Sequence, residues 1–201
     1  YKPKGIECTA DMRVKKNVIS YINYPIRVYY AGRLDKDSEG LLLLTNQGEL
    51  VNQMMKAGNF HEKEYLVTVD KPVTEEFLQG MREGVPILGT ITRKCRVQKD
   101  GEYSFRIVLT QGLNRQIRRM CSYFGYEVKS LKRIRIMNLT LGNLAVGEYR
   151  EATDKEQEEL QKQLEAGKRA PVQEVYRGGK PVKNPGKYRN PEKKYKKNRR
   201  I

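Results

Sequence analysis

Two runs of alternating apolar and polar residues around one Asp-Gly pair most constrain the fold of this chain. The runs cover Thr90–Gln98 and Tyr103–Thr110, and Asp100 and Gly101 lie between them. Alternation with a period of two predicts strands with one buried face, and Asp-Gly is a strong signal for a tight hairpin turn. The middle of the chain therefore predicts an antiparallel hairpin.

Other segments predict further strands, interleaved with short helices. β-branched or alternating residues predict strands at Glu64–Val69, Val128–Leu139 and Val146–Arg150. Thr74 and Asn114 are expected to cap helices, and Thr153 with Glu156 forms a capping-box pattern for a helix ended by Gly167. Many strands with few short helices predict an α+β fold with a mostly antiparallel sheet, not a doubly wound one.

Basic residues are concentrated toward the C-terminus. Residues 168–201 hold 13 Lys and Arg against 2 Asp and Glu, in a chain whose formal net charge is +16. This segment has four prolines and few aliphatic residues, so it cannot bury enough apolar surface to fold alone. We expect a folded domain over residues 1–167 and a disordered tail over 168–201, which either binds nucleic-acid phosphates or only solubilises the chain.

A second basic cluster lies within the part of the chain that is expected to fold. Between Thr110 and Arg135, seven cations are opposed by one carboxylate, Glu127. The cations are Arg115, Arg118, Arg119, Lys129, Lys132, Arg133 and Arg135. A solvated helix face would normally mix both signs, so a cluster of one sign predicts a polyanionic partner.

Cysteine and histidine usage argues against several classes of protein. Cys8, Cys95 and Cys121 are odd in number and include no Cys-x-x-Cys pair. We therefore expect no disulfide scaffold and no zinc site, and a reducing, cytoplasmic location. The single histidine, His61, argues against a His-based metal centre. The sequence has no apolar run long enough for a membrane span and no signal peptide in residues 1–20.

The segment from Gly32 to Gly40 is a glycine-bounded loop rich in carboxylates. Its acidic residues are Asp35, Asp37 and Glu39. A calcium loop of the EF-hand type is not expected, because Asn46 stands where a bidentate Glu is required and an apolar strand replaces the second helix. A solvated acidic turn remains open for Asp37 and Glu39. Asp35 is a candidate nucleophile or base, since the neighbouring Arg33 can keep it ionised.

Five blocks of sequence, in order, resemble the RsuA-type pseudouridine synthases of bacterial ribosomal RNA. They cover about residues 1–152 and are most similar to the large-subunit pseudouridine synthase F subgroup. The blocks are Lys2-Pro3-Lys4-Gly5, Gly32-Arg33-Leu34-Asp35 with the Leu-rich run after it, Lys63-Glu64-Tyr65, Gln116-Ile117-Arg118-Arg119-Met120 and Leu131-Lys132-Arg133.

The resemblance implies a fold and an activity. Such enzymes share an α+β catalytic domain with a long mixed, mostly antiparallel sheet, flanking helices and a central active-site cleft. They cut the N1–C1′ bond of a uridine in RNA, rotate the uracil and rejoin it through C5, with no cofactor or metal. The implied partner is 23S ribosomal RNA, with tRNA as the alternative, and we expect a monomer. Relatives usually carry an N-terminal S4-type domain before the first block, so this chain is expected to be part of a longer protein.

The resemblance also assigns site residues. Asp35 would attack C1′ or remove the proton at C2′, Arg118 would pair with Asp35, and Tyr65 would stack on the uracil with its hydroxyl near C5. Arg33 would fill the space left by the extruded base. The remaining candidates for RNA contact are Lys2, Gln116, Arg119, Lys132 and Arg133 for phosphates or bases, and Leu131 as an apolar wall beneath the uracil.

Two other classes of function remain open at this point. The basic cluster and tail fit a non-catalytic RNA-binding or ribosome-assembly factor equally well. An RNA methyltransferase is not favoured, because no Gly-rich nucleotide loop follows a strand. A two-metal nuclease would have only the loop from Asp35 to Glu39 for its metals, and dependence of activity on divalent ions would reveal it.

Overall fold

The computed structural model describes residues 1–55 and 60–169, and the backbone of 176–177 and 180–181. The chain divides into two compact units, Tyr1–Ala170 and Pro171–Ile201. Most of the segment that we expect to be a disordered tail lies outside the described residues. None of the described helices is both long and apolar enough to cross a membrane.

The helices of the described residues are short, apart from the last. They are α1 (Val18–Ile22), α2 (Gly48–Met55), α3 (Glu75–Glu83), α4 (Gln116–Tyr123) and α5 (Asp154–Arg169). The predicted cap of α3 is confirmed, since Thr74 Oγ1 accepts the Phe77 N–H at 3.2 Å. The capping box of α5 is confirmed too: Glu156 N donates to Thr153 Oγ1 at 3.2 Å, and Thr153 N donates to Glu156 Oε2 at 2.9 Å.

Two expectations about helix ends are wrong. Arg115, not Asn114, is the N-cap of α4; it has a left-handed backbone with φ of 48° and no side-chain cap. The Asn114 side chain instead accepts a hydrogen bond from Arg119 at 3.2 Å. α5 continues past Gly167 to Arg169.

The strands form one large sheet and several small pairs. They are β1 (Tyr29–Ala31), β2 (Glu39–Gly40), β3 (Leu43–Thr45), β4 (Lys63–Val69), β5 (Pro86–Ile87), β6 (Thr90–Ile91), β7 (Arg96–Gly101), β8 (Ser104–Leu109), β9 (Val128–Ile136), β10 (Leu139–Thr140), β11 (Tyr176–Arg177) and β12 (Lys180–Pro181). The large sheet runs in the order β10-β9-β4-β8-β7, and β2 also pairs with β9. Its pairs are antiparallel except for the parallel β2–β9 pair, so the predicted mixed, mostly antiparallel sheet is confirmed.

Apolar residues of the central strands form the main core against α3 and α4. Val67, Phe105 and Ile107 have no exposed surface, and they belong to one cluster with Phe77 of α3 and Met120 of α4. A second cluster joins β1, α2 and α5 to the end of β9; its fully buried members include Ile136 and Leu164. Burying such side chains supplies about 25 cal/mol per Å² of apolar surface.

The predicted hairpin is present, but its turn lies further along the chain. Gly101 pairs with Ser104, so Glu102 and Tyr103 form the turn, and the register shifts between Lys99 and Gly101. The strand expected at Val146–Arg150 is wrong, because this segment has turns and irregular backbone.

Candidate active site

Asp35 lies on the loop between β1 and β2, and the first residues of the chain brace this loop. Gly5 N donates to the Lys36 carbonyl at 2.7 Å. Lys2 and Gly40 exchange backbone hydrogen bonds of 2.8 and 3.0 Å. At its far end the loop joins the sheet, since Gly40 pairs with β9. The block near the N-terminus and the Asp35 block, which are separate in sequence, therefore form one structural unit.

Asp35 is partly exposed and lies beside an arginine of the N-cap of α4. Arg115 Nη1 is 3.5 Å from Asp35 Oδ2. The same guanidinium binds Asp37 through two bonds, Nη1 to Oδ1 at 3.1 Å and Nη2 to Oδ2 at 3.0 Å. The Arg115 hydrogen bonds are the main cause that lowers the pKa of the Asp37 carboxyl, against some desolvation. Asp37 is thus held ionised at neutral pH by its arginine partners.

Arg118 joins the loop to α4 and β9 but does not form the predicted pair with Asp35. Its Nη2 is 3.2 Å from Asp37 Oδ2 and donates to the Asp37 carbonyl at 3.3 Å, while Nη1 donates to the Val128 carbonyl at 3.1 Å. Among the side chains of residues 1–55 and 60–166, Arg115 is the arginine that lies within 4 Å of Asp35. Two backbone carbonyls hold the Arg118 guanidinium away, which corrects the predicted pairing.

Arg115 is therefore the site residue that sequence reasoning missed. Arg115 is the N-cap of α4, and Arg118 lies three positions later, in the first turn of that helix. Because Arg115 has a left-handed backbone outside the helix, helical spacing does not place its side chain. Its membership of the basic cluster between Thr110 and Arg135 was the signal in the sequence.

Tyr65 lies on β4, two strands away from the end of the Asp35 loop. It pairs with Arg133 of β9, and Arg133 pairs in turn with Gly40 of β2. Val67, two residues on, pairs with Leu131, and paired residues point to the same face of a sheet. Tyr65 is partly buried against the cluster that contains Leu131. Leu131 therefore lies on the same face of the sheet as Tyr65, and its role as an apolar wall stays a prediction.

Two residues that we expected to contact RNA are buried instead. Lys2 is 4% exposed, and its Nζ donates to the carbonyls of Pro3 and Ile6, each at 2.8 Å. Burial is the main cause that lowers its pKa. Gln116 is also 4% exposed, and its Oε1 accepts the Leu113 N–H at 3.1 Å. In this structure both polar groups stabilise backbone turns beneath the site, and their contact with RNA stays a prediction.

Arg133 is buried as well and does not present its charge to the surface. It is 1% exposed. Its Nε donates to the Leu41 carbonyl at 2.8 Å, and its Nη1 donates to the Arg33 carbonyl at 3.4 Å. In this structure the Arg133 guanidinium is therefore engaged by backbone carbonyls and is not presented to a phosphate or base.

The other predicted RNA contacts remain accessible, although not all on one face. Arg33 and Arg119 are exposed. Lys132 is partly exposed and lies 5.6 Å from the centre of the Tyr1 ring. Because side chains alternate along a strand, Lys132 points to the face opposite Tyr65. Arg33 lies in the Asp35 loop and Arg119 lies on α4. Lys132 lies on the face of the sheet opposite Tyr65.

The fold and this loop together define an enzyme class, and the comparisons with known proteins agree. Residues 1–123 match the family model described as RNA pseudouridylate synthase, and the chain belongs to this family. It is 49% identical to the dual-specificity RNA pseudouridine synthase RluF of Escherichia coli (strain K12), over 97% of this chain and 74% of the relative. It is 34% identical to the ribosomal large subunit pseudouridine synthase B of Bacillus subtilis (strain 168), over 85% of this chain and 73% of the relative.

A solved pseudouridylate synthase has the same fold. Its TM-score with this chain is 0.74 at 32% identity, covering 79% of this chain and 70% of that one. The predicted family, α+β fold and enzyme class are confirmed: the chain is an isomerase that converts uridine in RNA to pseudouridine.

Lys63 lies on β4 two residues before Tyr65, and its charge is costly. Burial lowers its pKa from 10.5 to about 8, and nearby Arg133 adds to the effect. Between these pH values the unfolded chain binds the proton and the folded chain does not, so this residue makes stability rise with pH. Lys63→Met should therefore have a higher free energy of unfolding than the parent at pH 7. We expect this difference to shrink by about 2 kcal/mol between pH 7 and pH 9.5, because the parent gains stability as the pH rises.

Urea unfolding at both pH values measures this difference. Lys99→Met is the matched control, because Lys99 is exposed on β7, and its offset from the parent should be the same at both pH values. A constant offset for Lys63→Met would contradict the prediction.

Proposed function

We propose that this enzyme isomerises a uridine of 23S ribosomal RNA and that tRNA is a second substrate class. Its relatives support this, since one is a dual-specificity RNA pseudouridine synthase and another is a ribosomal large subunit pseudouridine synthase. The observation that carries the proposal is the partly exposed Asp35 carboxylate beside Arg115, on a loop that is braced at both ends. Such a carboxylate is held in place by the loop and is accessible to a ribose.

In this proposal the residues have separate roles. Asp35 attacks C1′ of the ribose or removes the C2′ proton, after the uridine has left its stack. Tyr65 stacks on the uracil above Leu131, with its hydroxyl toward C5. Arg33, which is exposed two residues before Asp35, fills the space that the base leaves. Arg118 supports the reaction indirectly, because it holds the loop through Asp37.

The proposal extends to assembly and location. We propose that the enzyme acts as a monomer in the cytoplasm, where ribosomal RNA and tRNA are found. Light scattering coupled to size exclusion measures the assembly state, and a mass of about twice 23.4 kDa would contradict the monomer.

Tritium release from [5-³H]uridine-labelled RNA tests the activity and the substrate together. Uridine loses its C5 hydrogen when it becomes pseudouridine, so the parent protein should release tritium from 23S ribosomal RNA and from tRNA in EDTA. Release from neither RNA, with RNA binding intact, would replace the proposal with a non-catalytic RNA-binding factor. Release only in the presence of divalent ions would point to metal-dependent chemistry.

The basic tail is expected to increase affinity for RNA without specifying the uridine. Truncation after Ala170 keeps the first compact unit and removes most of the basic excess. We expect weaker RNA binding and a shallower dependence of log Kd on log salt, by about 0.7 to 0.9 for each lost phosphate contact. Kd should be measured from 50 to 200 mM salt, roughly the range over which such contacts matter. An unchanged salt slope would contradict the role of the tail.

A further inference from the structure

Arg133 is a buried cation that lacks a counter-charge in the part of the chain that the structure describes. Its side chain is 1% exposed, and no carboxylate of residues 1–55 or 60–166 lies within 4 Å of its guanidinium. Its Nη2 is buried without a hydrogen-bond partner. A buried charge with an unsatisfied donor is costly, so its presence at this position calls for a compensating role.

The guanidinium contacts both ends of the loop that carries Asp35. Nη1 donates to the carbonyl of Arg33, two residues before Asp35, and Nε donates to the carbonyl of Leu41, after the loop has ended. The backbone of Arg133 adds a third contact, since its carbonyl accepts the Leu41 N–H at 2.8 Å. One residue of β9 thus contacts the backbone on both sides of Asp35.

We propose that Arg133 is a positioning residue for Asp35: it fixes both ends of the loop and so the place of the carboxylate, without touching RNA. The inference rests on the proposed function of Asp35. A lysine at this position would keep the charge but offers one nitrogen, which cannot reproduce the forked contact of two guanidinium nitrogens with two carbonyls. A glutamine would lose both the charge and the reach.

The test separates the rate of the bound complex from RNA binding. Arg133→Lys and Arg133→Gln are prepared in the full chain, and single-turnover tritium release is measured at saturating labelled RNA. We expect the rate of Arg133→Gln to fall about 10²-fold, the loss that follows when a reacting group is misplaced by about 1 Å. Arg133→Lys should be intermediate, and RNA Kd and its salt slope should stay unchanged for both variants.

Arg82→Gln is the matched control for a purely structural loss. Arg82 is a partly buried arginine of α3 whose Nε donates to the Val97 carbonyl at 2.9 Å, away from the loop. Its loss should lower the melting temperature but leave the single-turnover rate unchanged. Hydrogen exchange of the peptide that covers residues 33–41 adds a second readout, which should be faster in both Arg133 variants and unchanged in Arg82→Gln.

Each outcome decides the inference. Normal rates and a normal Kd in the Arg133 variants would overturn the inference in favour of a purely structural role. A normal rate with weaker RNA binding and a shallower salt slope would overturn it in favour of a direct RNA contact. If Arg133→Gln fails to fold, Arg133→Lys still provides the rate and the exchange. If the parent releases no tritium, the proposed function fails, and normal exchange of residues 33–41 in Arg133→Lys would then separately overturn the positioning role.

Discussion

Replacing Asp35 with Asn is expected to abolish tritium release and leave RNA binding intact. The change keeps the shape of the side chain but removes the charge, so the amide can neither attack C1′ nor accept the C2′ proton. We expect the single-turnover rate to fall at least about 10³-fold, as when a group central to the chemistry is lost. Kd should change less than about twofold, because removing one partly exposed carboxylate near Arg115 alters the surface charge only slightly.

Asp37→Asn is the matched control for this experiment. Asp37 lies on the same loop, is 49% exposed and binds both Arg115 and Arg118. Its loss removes ion pairs in a solvated setting, and such pairs contribute little individually. The single-turnover rate of Asp37→Asn should therefore stay within about tenfold of the parent rate, far above the rate of Asp35→Asn. If Asp37→Asn were as inactive as Asp35→Asn, the loss of activity would belong to the ion-pair network and not to Asp35.

Replacing Gly40 with Ala is expected to destabilise the protein more than any other small change near the site. A Cβ at Gly40 would lie 2.3 Å from the Arg133 carbonyl oxygen and 2.7 Å from its amide nitrogen, and φ at Gly40 is +107°. The parallel β2–β9 pair would have to separate, because neither backbone atom can move aside alone. Overpacking and the unfavourable φ together should cost about 3 kcal/mol or more in unfolding free energy.

Gly142→Ala separates the steric cost from the cost of the backbone angle. Gly142 has φ of +56°, and a Cβ there would meet no atom within 4 Å. Its substitution should cost only about 1 kcal/mol. Both variants are compared by denaturant unfolding, and equal losses would contradict the close approach of Gly40 to β9. We also expect Gly40→Ala to lose tritium release at temperatures where it is still folded, since the loop ends would shift.

Local signals in the sequence predicted the starts of two helices. Thr74 caps α3 and the Thr153–Glu156 box starts α5 because these bonds form between residues three positions apart. The cap of α4 was missed because a tertiary contact decides it. Arg115 takes the left-handed N-cap position and reaches the Asp35 loop some 80 residues away, and no short window of sequence contains that pairing.

The surroundings of the candidate site residues were predicted only in part, and the differences have a common physical origin. Asp35, Tyr65 and Leu131 were named from the family resemblance, and their roles stay predictions. Lys2 and Arg133 belong to basic or motif segments, and charged residues are rarely fully buried, so the sequence favoured surface contacts for them. Their burial follows from long-range pairing of the Asp35 loop with the N-terminal residues and with β9, which periodicity alone cannot reveal.

Strand β9 has a consequence for how enzymes of this kind can diversify. β9 pairs with the strand of Tyr65, pairs with Gly40 at the end of the Asp35 loop, and accepts a hydrogen bond from Arg118 at the Val128 carbonyl. Its register therefore sets the relative positions of all three candidate residues. A slip of one residue would turn Leu131 and Arg133 to the opposite face and disconnect all three at once. Exposed residues outside this strand, such as Arg33 and Arg119, are therefore freer to change than the residues that set the register of β9.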